Sequence, residues 1–210
     1  MRKYIIMGVQ GSGKGTQAKL LADALDLEHI SVGDIFRWNV EHHTKLGAQV
    51  RRSVAEGELV SDDLVEEVVR RRLDEHDWNY GFIIDGFPRN RPQARFFLES
   101  YDLNAVILLD LADDLVEQRI LSRRLCSRCG LDYNLISSRP AVADVCDVCG
   151  GQLVTRADDT PEAVRSRLRD YHAKTRPVLE LFRAKEVVVE VDASRPVDPV
   201  QAEIRKRLGV

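Results

Sequence analysis

The sequence has no long apolar run and no strong excess of charge of either sign. No stretch of the 210 residues approaches the roughly 20 apolar residues that a membrane-spanning helix requires. Gly8 interrupts the apolar run at the N-terminus, which makes that run too short for a secretory signal. With 31 basic and 34 acidic residues the formal net charge is −3, which argues against binding of long nucleic acid through bulk positive charge. These absences predict a cytoplasmic protein with neither a membrane nor a nucleic acid as its partner.

Cysteine is also scarce, and its arrangement is regular. All four cysteines stand in two C-x-x-C pairs: Cys126, Cys129, Cys146 and Cys149. Four thiolates at this spacing match a closed tetrahedral Zn²⁺ site, with iron as a second metal that such a site accepts; a redox dithiol pair or disulfides is the rival interpretation. Gly130 and Gly150 follow the second cysteine of each pair, where they suit tight turns. The five histidines show no metal-ligand spacing, so we expect them to be structural or solvent-facing.

Short apolar runs alternate along the chain with amphipathic segments. Runs rich in Ile, Val and Leu with little polar alternation are typical of strands buried on both faces, and they occupy 4–9, 82–84, 105–111 and 187–191. Three amphipathic segments follow the capping residues Ser61, Thr160 and Asp198. Pro161 and Pro199 then stand where the first helical residue is expected. The alternation predicts an α/β protein in which helices cover a parallel sheet.

A glycine-rich motif of the G-x-x-x-x-G-K type follows the first predicted strand and opens a helix. Glycines let backbone N–H groups turn toward phosphate oxygens, and the helix N-terminus adds partial positive charge. We expect Lys14 to neutralise charge on the β- and γ-phosphates and Thr16 to contact phosphate or the Mg²⁺ shell. The predicted triphosphate-binding residues are therefore Gly11, Ser12, Gly13, Lys14, Gly15 and Thr16.

An acid ends the second apolar run, where Asp85 follows residues 82–84. In parallel α/β sheets, ligands lie at the carboxyl ends of the strands, so we expect Asp85 to approach the phosphates and Mg²⁺ together with Thr16. A helix cap or an ordinary turn residue is the alternative role for an acid at this position.

Several further motifs occur in order along the chain. They are Ser31-Val32-Gly33-Asp34, Asp85-Gly86-Phe87-Pro88-Arg89, Arg119, Arg123, Arg156-Ala157-Asp158-Asp159 and Arg167. Together with the glycine-rich loop they resemble the adenylate kinase family, in the long form that carries a four-cysteine zinc-binding lid. The resemblance implies a P-loop nucleoside triphosphate fold, with a five-stranded parallel sheet, helices on both faces and two inserted subdomains. It implies a core at 1–30, 61–124 and 160–210, a nucleoside monophosphate-binding insertion at 31–60 and a zinc-binding lid at 125–159.

The resemblance also implies an activity and roles for single residues. The activity is reversible, Mg²⁺-dependent phosphoryl transfer from ATP to AMP giving two ADP, carried out by a monomer. The implied catalytic residues are Lys14, Arg89, Arg123, Arg156 and Arg167. Arg119, expected to stack on the ATP adenine, and Arg123 join the loop in binding ATP. The implied AMP-binding residues are Val32, Arg37, Leu59, Val60, Gly86, Arg89, Gln93, Arg156 and Arg167. Asp158 and Asp159 resemble the acids that position the lid arginines.

Arginines suffice for this chemistry. A phosphate acceptor is already ionised near neutral pH, so its attacking oxygen needs no general base. Phosphoryl transfer needs in-line positioning and charge neutralisation, and the planar arginine fork holds two phosphate oxygens without losing its proton. Arg119 and Arg123 are four residues apart, which predicts that they share one helical face.

Two positions depart from the family pattern, and they leave alternatives open. Gln10 stands where many members carry proline, and Val32 stands where adenylate kinases usually carry threonine beside the AMP base. A valine cannot hydrogen-bond, so a UMP or CMP kinase is the nearer alternative, although Gln93 fits the adenine-binding pattern. The more distant alternative is a nucleic-acid-binding ATPase with a zinc ribbon. The sequence lacks the aromatic residues among basic ones that such a module uses, apart from Tyr133.

Overall fold

The computed structural model describes residues 2–75, 80–185 and 187–210; His76, which we expected to be structural or solvent-facing, lies outside them. The strands are β1 (Lys3–Gly8), β2 (Glu28–Ser31), β3 (Phe82–Asp85), β4 (Ala105–Asp110), β5 (Arg123–Cys126), β6 (Asp132–Asn134), β7 (Leu153–Val154) and β8 (Val188–Asp192). The helices are α1 (Lys14–Leu25), α2 (Val32–Glu41), α3 (Lys45–Glu56), α4 (Asp62–Asp74), α5 (Arg91–Ser100), α6 (Asp113–Leu121), α7 (Pro161–Asp170), α8 (Leu179–Arg183) and α9 (Val197–Leu208). A π-helical turn (Tyr171–Thr175) and a 3₁₀ turn (Arg176–Val178) join α7 to α8.

A five-stranded parallel sheet forms the centre of the fold, in the order β2-β3-β1-β4-β8. This confirms the predicted fold class. Four of the strands lie within one residue of the predicted runs at each end. The fifth, β2, lies at the sheet edge and begins with the half-buried residues Glu28 and His29, so it carries no apolar run.

Helices cover both faces of the sheet, because successive strand residues point to opposite sides. In β1, Ile5 and Met7 join a buried cluster with residues of α2 to α5 and α8. Tyr4 and Ile6 join a second cluster with residues of α1, α6, α7 and α9. Each face is thus buried by its own layer of helices, and the carboxyl ends of β1, β2 and β3 remain available along one edge.

The helix starts agree with the sequence at two of three places. Thr160 caps α7, where its side chain accepts a hydrogen bond from the Ala163 N–H, and Pro161 is the first helical residue as predicted. Ser61 occupies the position before α4 but makes no side-chain cap hydrogen bond there. The prediction for the last helix is wrong, because α9 begins at Val197, before Asp198 and Pro199. A proline is tolerated in this first turn since its missing N–H would have no partner within the helix.

A small antiparallel sheet, in the order β6-β5-β7, carries Cys126 at the end of β5 and has its own buried cluster, which includes Cys146. It also corrects one expectation. Helix α6 ends at Leu121, and Arg123 begins β5, where it pairs with Asn134 of β6. Arg119 and Arg123 therefore do not share a helical face, because strand pairing with a distant segment replaces the next helical turn.

No helix among the described residues is both long enough and apolar enough to cross a bilayer.

Candidate active site

A cavity of about 680 Å³ opens at the carboxyl ends of β1, β2 and β3. Every residue predicted from the sequence to bind ATP, AMP or Mg²⁺ lines it, and so does Asp158. Asp159 and the four cysteines lie outside this lining, in the part of the chain that the structure describes. One cavity therefore brings together groups that are up to 156 positions apart in the sequence, from Gly11 to Arg167.

The glycine-rich loop is shaped by backbone conformations that favour glycine. Gly13 has a φ of 89° at the position before α1, so its backbone is left-handed where the helix begins. Gly8 has no room for a side chain, because a Cβ there would lie 2.5 Å from the Leu109 carbonyl oxygen. The loop thus delivers the N-terminus of α1 to the cavity, where backbone N–H groups and the helix dipole favour an anion.

Lys14 is held inside this loop by backbone oxygens. Its Nζ donates to the carbonyls of Gly8 at 2.8 Å and Val9 at 2.9 Å. Burial lowers the pKa of Lys14 to about 8; Asp85 opposes this shift, while Arg89 and Arg123 add to it. The ammonium group therefore lies at the cavity wall near other cationic groups, where a phosphate would be a strongly favoured partner.

Asp85 presents a carboxylate beside the loop. Its Oδ1 is buried and has no hydrogen-bond partner among the described residues. Its Oδ2 lies 3.5 Å from the point where a Cβ on Gly15 would stand, one residue before Thr16. A buried carboxylate oxygen of this kind is costly unless it binds a cation or water. The donor set fits Mg²⁺ held with the triphosphate.

Arg89 is positioned by the loop that follows β3. Its Nε donates to the Gly86 carbonyl at 2.8 Å, and its own carbonyl accepts from the Thr175 hydroxyl at 2.8 Å. Burial lowers the pKa of Arg89, with further lowering by Arg167. Thr175 was not predicted from the sequence, because no motif marks a contact between the π-helical turn and a loop 86 positions away.

Buried and half-buried acids hold the other arginines. Asp158, only 4% exposed, pairs with Arg167 and lies 3.8 Å from Arg37. Asp159 accepts from the Arg123 Nε at 2.9 Å. Each acid thus anchors one or two guanidinium groups at the wall of the cavity.

Two acids in this network were not predicted to have a role. Asp34 pairs with Arg37, and Asp132 accepts from Arg156 at 3.0 Å. Burial by itself would raise the pKa of Asp34, but the charge and hydrogen bond of Arg37 outweigh it and lower the pKa to about 2. The spacing of Asp34 and Arg37 in one helix turn was a readable signal for that pair. Asp132 has no such signal, since it reaches Arg156 across 24 positions.

The predicted base-binding residues lie on the side of Arg37 and Arg89. Gln93 is buried, and its amide contacts the Arg89 N–H and Asp62. Val32 is also buried at the cavity wall and adds only apolar surface. Of these two side chains only Gln93 can hydrogen-bond, so the prediction that this wall selects a base depends on Gln93.

Arg119 and Gln10 line the cavity on the side of the glycine-rich loop. Arg119 donates to the carbonyls of Ala193 at 2.8 Å and Ser194 at 2.9 Å, which lays its guanidinium group along the segment after β8. The Gln10 Nε2 donates to the Val164 carbonyl at 2.5 Å, so the glycine-rich loop is tied to α7.

The four cysteines form a compact cluster of free thiols at one end of the small sheet. Their sulfur atoms all lie within 4.8 Å of one another, with 3.4 Å from Cys126 to Cys149 and 3.6 Å from Cys129 to Cys146. Tetrahedral zinc with bonds of about 2.3 Å requires sulfur atoms about 3.8 Å apart, so the donor set fits this metal. Gly151 is required here, because a Cβ would lie 2.8 Å from the Cys126 sulfur.

The comparisons with known proteins agree over the whole chain. The sequence model of the family described as "Adenylate kinase" matches residues 6–187. An adenylate kinase of Thermotoga neapolitana is 44% identical over 100% of this chain and 98% of its own length. One of Clostridium tetani is 40% identical over 98% of this chain and 97% of its own length, and one of Methanocella arvoryzae is 39% identical over 97% and 96%. The chain belongs to the adenylate kinase family.

Membership in the adenylate kinase family confirms the resemblance inferred from the motifs. The assignment of individual residues to ATP and AMP remains a prediction, and the contacts above are what support it.

Proposed function

We propose that this chain is an adenylate kinase that transfers the γ-phosphoryl group of Mg-ATP reversibly to AMP, giving two ADP. The observation that carries the proposal is that one cavity is lined both by the glycine-rich loop and by a second set of cationic groups around Arg89. A simple ATPase needs only the first of these, whereas transfer between two nucleotides needs both.

On the triphosphate side, the loop from Gly11 to Thr16 binds the phosphates of ATP through backbone N–H groups and the N-terminus of α1. Lys14 neutralises charge that moves between the β- and γ-phosphates during transfer. Arg119 lies farther along the wall, where it stacks on the adenine. Thr16 and Asp85 are the residues that would hold Mg²⁺ together with ATP, and the ion would supply neutralisation of phosphate charge.

On the acceptor side, Arg37 and Arg89 bind the AMP phosphate, and Leu59, Val60 and Gly86 line its site. The arginines Arg123, Arg156 and Arg167 lie between the two sides and bind the transferring group. They carry no proton to or from the reaction, because the acceptor phosphate is already ionised. Their contribution is orientation and charge neutralisation, which is what a loose phosphoryl transition state requires.

The acids at the wall keep these arginines in place before substrate binds. Asp158 and Asp159 are positioning residues in this proposal, since they contact Arg167 and Arg123. When substrate binds, a guanidinium group held by a carboxylate replaces some of its contacts to that carboxylate with contacts to phosphate oxygens. The arginines are therefore ordered in advance, which reduces the entropy cost of forming the reactive complex.

The two insertions exclude water in the proposed mechanism. We infer a monophosphate-binding part at 31–60 and a lid at 125–159, on a core formed by the remaining residues. The separate buried cluster of the small sheet supports an independently packed lid. Water must be kept from the γ-phosphate, and lid closure in adenylate kinases is itself a standard example of such gating.

We assign zinc to the four cysteines. Four thiolates leave no open coordination position, so the ion has a structural role in the lid. A segment of about 35 residues has too little core to be stable by itself, and metal binding supplies that stability. Iron is the second candidate, and metal analysis of the purified protein distinguishes the two.

A second candidate function, a UMP or CMP kinase, is favoured by one observation. The part of the cavity lining formed by Val32 and Gln93, which we call the base wall, has an apolar side chain at Val32. The test is a phosphoryl-transfer assay with Mg-ATP against AMP, UMP, CMP and GMP. A strong preference for AMP is expected. A preference for another monophosphate would retain the chemistry but move base selection to Val32, and no transfer to any of them would refute the proposal. The cytoplasmic location, the monomeric state and the absence of a nucleic-acid partner stay predictions from the sequence.

A further inference from the structure

The base wall of the cavity depends on the orientation of one carboxamide. Gln93 is only 1% exposed and lines the cavity, and the side chain of Val32, which also lines it, offers no hydrogen bond. An amide presents a donor at one atom and an acceptor at the other. The orientation of the Gln93 amide therefore determines which order of donor and acceptor on a base can pair with this amide.

Both atoms of this amide have partners that prevent it from turning over. The Gln93 Oε1 accepts from the Arg89 backbone N–H at 2.8 Å, and the Nε2 donates to the Asp62 Oδ1 at 2.8 Å. A backbone N–H can only donate and a carboxylate can only accept, so these partners define which amide atom is oxygen. Turning the amide over would place two donors together at one end and two acceptors together at the other.

The carboxylate of Asp62 is itself fixed. The Asn90 Nδ2 donates to the same Asp62 oxygen at 2.6 Å, and the Asn90 Oδ1 caps α5 by accepting from the Gln93 N–H at 3.0 Å. Asp62 also begins α4, where the helix N-terminus favours a negative charge. It is not among the described residues that line the cavity, so its effect on a ligand passes through Gln93.

We propose that Asp62 is a specificity-determining positioning residue, which locks the Gln93 amide so that it selects adenine over guanine. The inference rests on the proposed function, in which Gln93 contacts the base. After its two partners are counted, the amide retains one N–H and one oxygen lone pair for a ligand, in a fixed order.

The two purines require opposite orders. On its Watson–Crick edge adenine presents an amino donor beside a ring-nitrogen acceptor, whereas guanine presents a carbonyl acceptor beside a ring N–H donor. A locked amide that pairs with one therefore opposes the other, and an amide free to turn over accepts both. Cytosine has the order of adenine and uracil has that of guanine, so the lock separates these two pairs of bases.

The test is Asp62→Asn, assayed with saturating Mg-ATP against AMP and GMP. An asparagine at 62 has no charge and can turn its NH₂ group toward Gln93, so the Arg89 N–H remains as the one contact that opposes turning the amide over. Because one of the two contacts is weakened, we expect the ratio of kcat/KM for AMP to that for GMP to fall about threefold to tenfold, through a higher KM for AMP and a gain with GMP. The KM for ATP is expected to stay within about twofold, because the loop is untouched. The AMP-to-CMP ratio should change less than the AMP-to-GMP ratio.

Asp63→Asn is the matched control, since Asp63 is exposed and lies in the same first turn with the same charge. It should leave the AMP-to-GMP ratio unchanged. If Asp62→Asn does not fold, Asp62→Ser tests the same lock with a side chain too short to reach Gln93.

A parallel Gln93→Leu variant separates the two levels of the argument. Loss of base selection in Gln93→Leu with an unchanged ratio in Asp62→Asn would overturn the lock while the assigned role of Gln93 stands. An unchanged ratio in both variants would overturn the role of Gln93 and the lock together. Failure of the unmodified protein to phosphorylate AMP would refute the proposed function itself.

Discussion

The two sides of the cavity hold their cationic groups in different ways. Lys14, in the loop, is held by the carbonyls of Gly8 and Val9 and has no carboxylate in direct contact among the described residues. Among the arginines, Arg167 is held by Asp158 and Arg123 by Asp159, whereas Arg89, like Lys14, donates to a carbonyl of its own loop. The loop therefore owes its geometry to a short local segment, whereas the arginines held by acids depend on contacts between separate elements of the chain.

This difference predicts different sensitivities. Replacing a side chain that is held by its own loop removes that side chain but should leave the rest of the loop in place. A group held by distant acids depends also on the elements that carry those acids. We therefore expect the contribution of the loop to activity to be lost on replacement of Lys14 itself. The contribution of the arginines should be reduced also by changes in the lid.

The largest effect is expected for Lys14→Ala. The charge beside the transferring phosphoryl group disappears, and we expect kcat to fall by about 10³-fold or more, on the scale of other single electrostatic contacts to a transition state. The measurement is the rate of ADP formation from Mg-ATP and AMP, with thermal unfolding to show that the fold is intact. Lys206→Ala, on an exposed face of α9, is the control. Near-normal turnover in Lys14→Ala would refute the assigned role.

A somewhat smaller loss is expected for Arg89→Ala. Several other arginines remain in the cavity, so we expect kcat/KM for AMP to fall about 10²- to 10³-fold while the KM for ATP changes little. Arg71→Ala removes the same charge from an exposed site on α4 and should have no effect. A parallel rise in the KM values of both nucleotides would show instead that Arg89 serves the whole cavity.

The variant Cys146→Ser, in the lid, tests whether the arginines depend on a distant element of the chain. The small sheet carries Arg123 on β5 and Asp132 on β6, so loosening it should disturb these arginines but leave Lys14 in place. We expect a loss of about 3 kcal/mol in unfolding free energy, which is a fall in Tm of roughly 6–12 °C, together with loss of metal. Ser127→Ala is the control beside the cluster. Equal metal content and Tm in Cys146→Ser and the unmodified protein would contradict the zinc assignment.

The same distinction decides what could be predicted from the sequence. The loop and four of the five core strands follow local patterns, so their positions were predicted within one residue. The contacts of Gln10 with Val164 and of Thr175 with Arg89 span 154 and 86 positions and have no local signal. The expected helical face of Arg119 and Arg123 was wrong for the same reason, because pairing of Arg123 with Asn134 is a long-range choice of the small sheet.

The smallest effect, and the one specific to the loop, is a dependence of ATP affinity on pH. Burial lowers the pKa of Lys14 to about 8, whereas bound phosphates stabilise its charged form and raise that pKa. ATP affinity should therefore be constant below about pH 8, where Lys14 is charged with or without ligand, and fall by up to about tenfold per pH unit above it.

The measurement is the Kd of Mg-ATP between pH 6.5 and 9.5 at constant ionic strength. Arginine keeps its charge throughout this range, so the profile of Lys14→Arg should be flat even if its affinity is weaker. A fall of equal size in Lys14→Arg would assign the titration to another group of the cavity. In that case, the backbone carbonyls of Gly8 and Val9 would be holding a lysine that stays charged, and the two sides of the cavity would differ in geometry but not in how strongly they respond to pH.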